Sequence, residues 1–139
     1  MSMSMSMTEE IQQVLASWAL GYDERDVPRM VDCFTPDATM VLNIGGTEIL
    51  GPFEGRDAVI GHMTEHHAIQ EDQRRHVVTN PVVEPVSEHE AKVTSYLTLL
   101  VTDGDGVRLQ ATGVYRDRFV RGDRGWRIAY RHLDLDTHY

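Results

Sequence analysis

Apolar residues recur at helical spacing near the start of the chain and at alternating spacing through its second half. Ile11, Val14, Leu15 and Trp18 return every three to four positions, which marks one buried helix face. The pattern predicts a helix from about Thr8. At about 100° per residue, Tyr22 falls back on the apolar face and Asp23 lies at its margin. Asp26 is a suitable N-cap for a second helix with Pro28 in its first turn. Thr35-Pro36-Asp37 should end that helix near Phe34. Thr39 to Ile44 reads as a strand, Gly45-Gly46 as a turn and Thr47 to Leu50 as its return. Gly51, Pro52 and Gly55 break the chain before a third helix from about Arg56 to His67.

The rest alternates. Strands are predicted from His76 to Glu84, Ala91 to Thr102, Arg108 to Arg121 and Trp126 to about Asp134. Their short connections make successive strands antiparallel neighbours. Helices first and a curled antiparallel sheet afterwards indicate an α+β fold. Within the strands, His76, Val78 and Asn80 share one face. Ala111, Gly113, Tyr115, Asp117 and Phe119 share another, a small-small-aromatic series that leaves room above the sheet for Tyr115 to enter.

At 139 residues, with 41% apolar and 25% charged, the chain suits one globular domain over residues 8–139. Residues 1–7, Met-Ser-Met-Ser-Met-Ser-Met, read as a disordered tail, with neither the charged leader nor the apolar block of a signal peptide. No apolar run approaches a membrane span, so the cytoplasm is the expected compartment. Thirteen basic against twenty-two acidic residues give a net charge of -9, which argues against nucleic acid or an anionic membrane as partner. Seven of the cations fall between Arg108 and Arg131, interleaved with Asp117 and Asp123. Such a stripe reads as a solvated or subunit-facing sheet surface. Cys33, the single cysteine, excludes an internal disulfide and sits among Met30, Val31 and Phe34 as a packing residue.

Asp23 and Tyr22 carry the candidate chemistry. A carboxylate beside a core face needs a partner, and His76 at the head of a strand is the natural one. Brought together, they form a carboxylate-oriented imidazole beside a phenol, a proton-transfer set that needs no cofactor. Other motifs carry less. His62-Met-Thr-Glu65-His66 has the spacing of an inverted zinc-peptidase pattern but lies at the polar end of a short helix, so an exposed helix end is expected and no metal. Asp103-Gly-Asp-Gly106 lacks the twelfth-position glutamate of a calcium loop, since Val114 stands there, and reads as a turn. Arg121-Gly-Asp123 falls in a predicted hairpin. No Gly-x-Ser-x-Gly, phosphate loop or dinucleotide fingerprint is present.

Several segments together resemble one family. They are Trp18-Ala-Leu-Gly-Tyr22-Asp23, Phe34-Thr-Pro-Asp-Ala38, Gly55-Arg-Asp-Ala-Val-Ile60, His76-Val-Val-Thr-Asn80, Gly113-Val-Tyr-Arg-Asp117 and Gly125-Trp-Arg-Ile-Ala-Tyr-Arg131. In order and spacing they resemble the SnoaL-like proteins of the nuclear transport factor 2-like superfamily. That resemblance implies a cone-shaped barrel, a curved mixed or antiparallel sheet wrapped by three helices around an apolar pocket. It also implies a homo-oligomer, dimer or trimer, joined through the sheet. Trp18, Tyr22, Asp23 and His76 further resemble the scytalone dehydratases of that family. Carried over, Asp23 and His76 are a catalytic dyad and Tyr22 a substrate-facing phenol, with Trp18, Leu42, Val78, Asn80, Gly113 and Tyr115 around the substrate. Leu42 stands where a second tyrosine would be, Val101 near a second histidine and Tyr115 near a pocket asparagine. These departures point to proton transfer on a different small molecule. The expectation is a cofactor-independent lyase or isomerase for a small apolar cyclic or polyketide-like compound. An epoxide-opening or ring-forming cyclase, or a non-catalytic ligand-binding or subunit-stabilising module, is the alternative.

Overall fold

The computed structural model describes residues 5–138. Residues 1–4 of the expected tail lie outside the described residues. The first helix, α1 (Met7–Asp23), begins one position before the predicted start because Ser6 caps it, its Oγ accepting from the Glu9 backbone N–H at 3.2 Å. A short α2 (Val27–Asp32) follows, with the Asp26 carboxylate accepting from the Arg29 N–H and Pro28 in the first turn. Cys33 is buried behind it, and burial pushes its thiol up to about 11, so it stays protonated packing material.

Then come β1 (Phe34–Ile44), β2 (Glu48–Glu54), α3 (Arg56–Ile69), β3 (Gln73–Ser87), β4 (Glu90–Asp103), β5 (Gly106–Gly122) and β6 (Gly125–Leu135). The strands form one curved sheet in the order β2-β1-β6-β5-β4-β3. Every neighbouring pair is antiparallel except β1 with β6, which run parallel. The fold is α+β with three helices, as expected, but the sheet is not closed into a barrel: β2 and β3 remain its two edges. Among the described residues no helix is long and apolar enough to cross a membrane.

Two predicted breaks are strand instead: Gly51-Pro52 falls inside β2, and the other falls inside β1. Thr35-Pro36-Asp37 does not separate helix from strand but lies inside β1, where the register against β6 shifts between Phe34 and Thr39. A proline has no N–H to give a ladder, so it sits where the pairing is interrupted. The β1–β2 turn uses Gly45 and Gly46 at φ of +62° and +74°, conformations that glycine adopts without the Cβ clash other residues meet. The predicted turn at Asp103 is present, its carboxylate accepting from the Asp105 N–H and from Arg108.

The inner sheet face supplies Val93, Leu97, Ala111, Tyr115, Phe119 and Ile128 to the core, met by Ile11, Leu15 and Trp18 of α1 and Val59 and Met63 of α3. On the outer face, Arg116 pairs with Asp134 and Arg118 with Glu90, the arginines exposed and the carboxylates half-buried. This part of the basic stripe is thus a surface, but Arg131 is not on it: the side chain turns inward and is fully buried.

Gly113 was expected beside the substrate. Its place is structural, because a Cβ there would lie 2.6 Å from the Asp134 carbonyl oxygen and 3.2 Å from the Leu135 Cα. The absent side chain lets β6 approach β5. Gly113→Ala is therefore expected to destabilise the fold by about 1–3 kcal/mol through overpacking against backbone, read as a lower urea midpoint with unchanged slope.

Candidate active site

Asp23 closes α1, and β3 is an edge strand whose outward N–H groups have no second sheet neighbour. The two meet at His76. One Asp23 oxygen, Oδ2, accepts the His76 backbone N–H at 2.8 Å, while Oδ1 accepts from the ring Nδ1 at 2.6 Å. Both side chains are nearly buried, at 7% and 9% exposure. Because Nδ1 donates to the carboxylate, the neutral ring carries its lone pair on Nε2. Trp18 meets the imidazole edge to face at 5.2 Å, and the Tyr22 ring lies 4.6 Å from it.

A second knot holds this helix end in place. Tyr22 donates its hydroxyl to Gln70 Oε1 at 3.0 Å, and the His67 ring nitrogen Nε2 donates to the Tyr22 carbonyl at 3.1 Å. Arg25 donates to the backbone carbonyls of His67 and Gln70 at the end of α3, where a cation complements the helix dipole. The ends of α1 and α3 are thus locked together beside His76.

Together these elements bound a small, partly open cavity of about 50 Å³. His76, Tyr22, Trp18, Tyr115 and Leu42, all expected from the sequence, line it. Val78 does not: it shares the inner face of β3 but lies beside Leu15 and Ala19, under α1. Asn80 does not either. One extra residue between the Thr79–Tyr96 and Val82–Thr94 pairs makes a bulge, and Asn80, at φ +56°, is turned outward to solvent. Gly113 is packed against β6, as described above. His132 lies on the outer side of β6 with its Nε2 2.9 Å from Asp134 Oδ1.

Three polar lining residues were not expected. His62 and His66 were assigned to an exposed helix end, yet α3 continues to Ile69 and both face the cavity. His62 stacks on Phe53 at 4.2 Å and meets His66 at 4.4 Å. His66 donates from Nδ1 to the His62 carbonyl at 2.9 Å. The third is Arg74, two residues before His76 on the same strand face, its Nε donating to Asp72 at 3.1 Å. The four-residue spacing of the two histidines was visible; that it faced inward was not. Among the described residues no cluster of three or more His, Cys, Asp and Glu could hold a metal. Apolar Met40, Met63, Leu97, Leu99, Leu133 and Leu135 complete the wall.

Below Tyr115 lies a buried ion pair. Arg131 donates from Nε and Nη2 to the two Asp117 oxygens, each at 2.9 Å, with neither side chain exposed. Its guanidinium carbon sits 3.9 Å from the Tyr115 ring centre and 4.8 Å from that of Trp18. Burial pushes the Tyr115 hydroxyl well above the usual phenol range, with Arg131 opposing the shift. Tyr115 therefore keeps its proton. Both partners were legible only as members of an inward face and a basic stripe.

The model of the SnoaL-like domain family matches residues 3–132. Among solved structures, the protein Rv3472 of Mycobacterium tuberculosis, itself described as of unknown function, is 27% identical with a TM-score of 0.80. The match covers 93% of this chain and 71% of that one. A Catenulispora acidiphila protein, solved in complex with S-DNPA, is 28% identical with a TM-score of 0.79, covering 94% and 93%. ActVI-ORFA from Streptomyces coelicolor, 20% identical with a TM-score of 0.78 over 94% and 98%, shares the fold. Among curated proteins, none matches the sequence.

Burial, and then the neighbouring His66, lower the His62 pKa to about 4 from an ordinary 6.5. Between those values the unfolded chain holds the extra proton and the folded one does not. The stability that neutral His62 contributes is therefore complete above about pH 6.5 and is lost as pH falls toward about 4. NMR titration should place the His62 midpoint near 4, and His62→Phe should flatten the decline in unfolding free energy across this window. A midpoint close to 6.5 would contradict the buried, stacked placement.

Proposed function

The chain belongs to the SnoaL-like family of the nuclear transport factor 2-like superfamily, and on that premise we propose that it is a cofactor-independent lyase or isomerase. Its substrate would be a small, largely apolar cyclic or polyketide-like carbonyl compound. One observation carries the reading: Asp23 takes both N–H groups of His76, so a fixed imidazole with its basic nitrogen on Nε2 lines a mostly apolar cavity. Family and fold alone would not decide the chemistry. A ligand-bound relative, the Catenulispora acidiphila protein with S-DNPA, supports a small-molecule role for this cavity.

The step balances simply. Nε2 of His76 takes the proton from a carbon beside the substrate carbonyl, and the C–H electron pair moves to the carbonyl oxygen as an enolate. Asp23 holds the ring in register and stabilises the imidazolium. In a lyase the enolate pair then expels a hydroxyl from the next carbon, which leaves as water with the proton that His76 took. In an isomerase the same proton returns to a different carbon. Tyr22, beside the imidazole, faces the substrate. The outer sheet face, with Tyr96 and Leu109 exposed, is where a homodimer or trimer would form.

General-base catalysis contributes roughly 10²- to 10⁴-fold in rate. In D₂O the protein should speed exchange of the α-protons of 2-tetralone, followed by NMR. His76→Ala should lose about 10²-fold or more of that rate, and Asp23→Asn should also lose activity, with far-ultraviolet circular dichroism unchanged in both. Exchange at the native rate in His76→Ala would sink the mechanism.

A further inference from the structure

The floor of the cavity holds three buried donors that no atom of the described residues satisfies: Trp18 Nε1, Tyr115 Oη and Arg131 Nη1. They belong to one cluster. The Trp18 and Tyr115 ring centres are 5.8 Å apart, and the Arg131 guanidinium lies against both. Trp18 and Tyr115 line the cavity, at 3% and 0% exposure, and Arg131 is wholly buried beneath them. Asp117 occupies only two of the guanidinium's nitrogens, so the ion pair still presents N–H groups. Nearly all buried donors in folded proteins find an acceptor, and three in one packed cluster, two of them on residues that line a cavity, call for one that arrives with a ligand.

We propose that this floor is an oxygen-binding subsite, in which Tyr115 and the Trp18 indole N–H donate to the substrate's carbonyl oxygen over the buried Arg131 charge. It rests on the reading of the cavity as a proton-transfer site and narrows the substrate class. The substrate must present a carbonyl, or a phenolic oxygen that can bear negative charge, to the floor while its acidic C–H faces His76. Enolate chemistry then follows from geometry: the electron pair released at carbon moves to the oxygen that Tyr115 and Trp18 hold. Donors aimed at developing charge in a site poor in water act more strongly than in bulk solvent. Tyr115 suits this role because burial keeps it protonated and able to donate. The arrangement disfavours a reaction that builds charge only on an epoxide oxygen near His76.

The test uses 2-naphthol, whose naphtholate oxygen imitates an enolate and whose absorption separates the two ionisation states. With the full-length chain, bound naphthol should ionise at lower pH than free naphthol. The Trp18 Nε1–H resonance, assigned with Trp126→Phe, should move downfield on binding. Tyr115→Phe, which removes a single oxygen, and Trp18→Phe should each weaken naphtholate binding by roughly 10- to 100-fold, the range for a hydrogen bond to a charged group. Both should reduce the ionisation shift, and His76→Ala should keep it. An unmoved indole resonance, native affinity in Tyr115→Phe and Trp18→Phe, or no saturable binding overturns the subsite and leaves the donors to a buried water. An ionisation shift lost in His76→Ala also overturns it, since the imidazole alone would then be taking the proton. Tetralone exchange separates the two readings: naphtholate binding without exchange refutes proton-transfer catalysis, and exchange unaffected by Tyr115→Phe and Trp18→Phe refutes the subsite.

Discussion

An edge strand carries a row of N–H groups with no neighbouring strand to receive them, and at His76 that need is met by the last residue of α1. Asp23 spends one oxygen on the backbone N–H and the other on the ring of the same residue. The contact does two things at once. It binds helix to sheet in place of a missing strand, and it sets the tautomer and direction of an imidazole at the cavity wall. A carboxylate almost out of water is tolerated because two N–H donors replace its hydration. Structure and candidate chemistry are linked here, since loosening the helix end would also release the imidazole.

The cavity combines an apolar wall with polar groups of contrasting character. His76 is held by a carboxylate, whereas His62 across α3 is kept neutral by burial against Phe53. Tyr115 is held in its protonated form above a guanidinium that is itself compensated by Asp117. The cavity thus holds an oriented imidazole, a second imidazole kept neutral by burial and a phenol that retains its proton. Such contrasts of environment are what the proposed proton transfer near neutral pH would require. A buried ion pair adds little stability by comparison with an apolar replacement of the same shape. Its position beneath Tyr115 and Trp18 sets the guanidinium against both rings.

Relatives with this fold range from a protein of unknown function to one bound to S-DNPA. The fold supplies a curved sheet with helices over its inner face, and the lining residues decide what the space can do. Here Leu42 makes part of the wall apolar and Tyr115 makes the floor aromatic, while Val101 is buried in the core outside the lining.

The helices, most strand ranges and the inward face of β5 were legible in the sequence, because periodicity records burial directly and short turns dictate antiparallel neighbours. So was the pairing of Asp23 with His76, since a carboxylate at the edge of an apolar face must find a partner. Other features were decided only in three dimensions. The parallel pairing of β1 with β6 joins segments from opposite ends of the chain, which no local pattern encodes. A single extra residue at Asn80 reversed the face of everything after it on β3 and removed that side chain from the cavity. His62 and His66 looked polar and therefore exposed, but a helix laid over a curved sheet turns them inward. Arg131 looked like one more surface cation until Asp117, its direct neighbour across β5 and β6, drew it into the core. Sequence determines which side chains seek burial or a partner; only packing decides which partner lies within a hydrogen bond's reach.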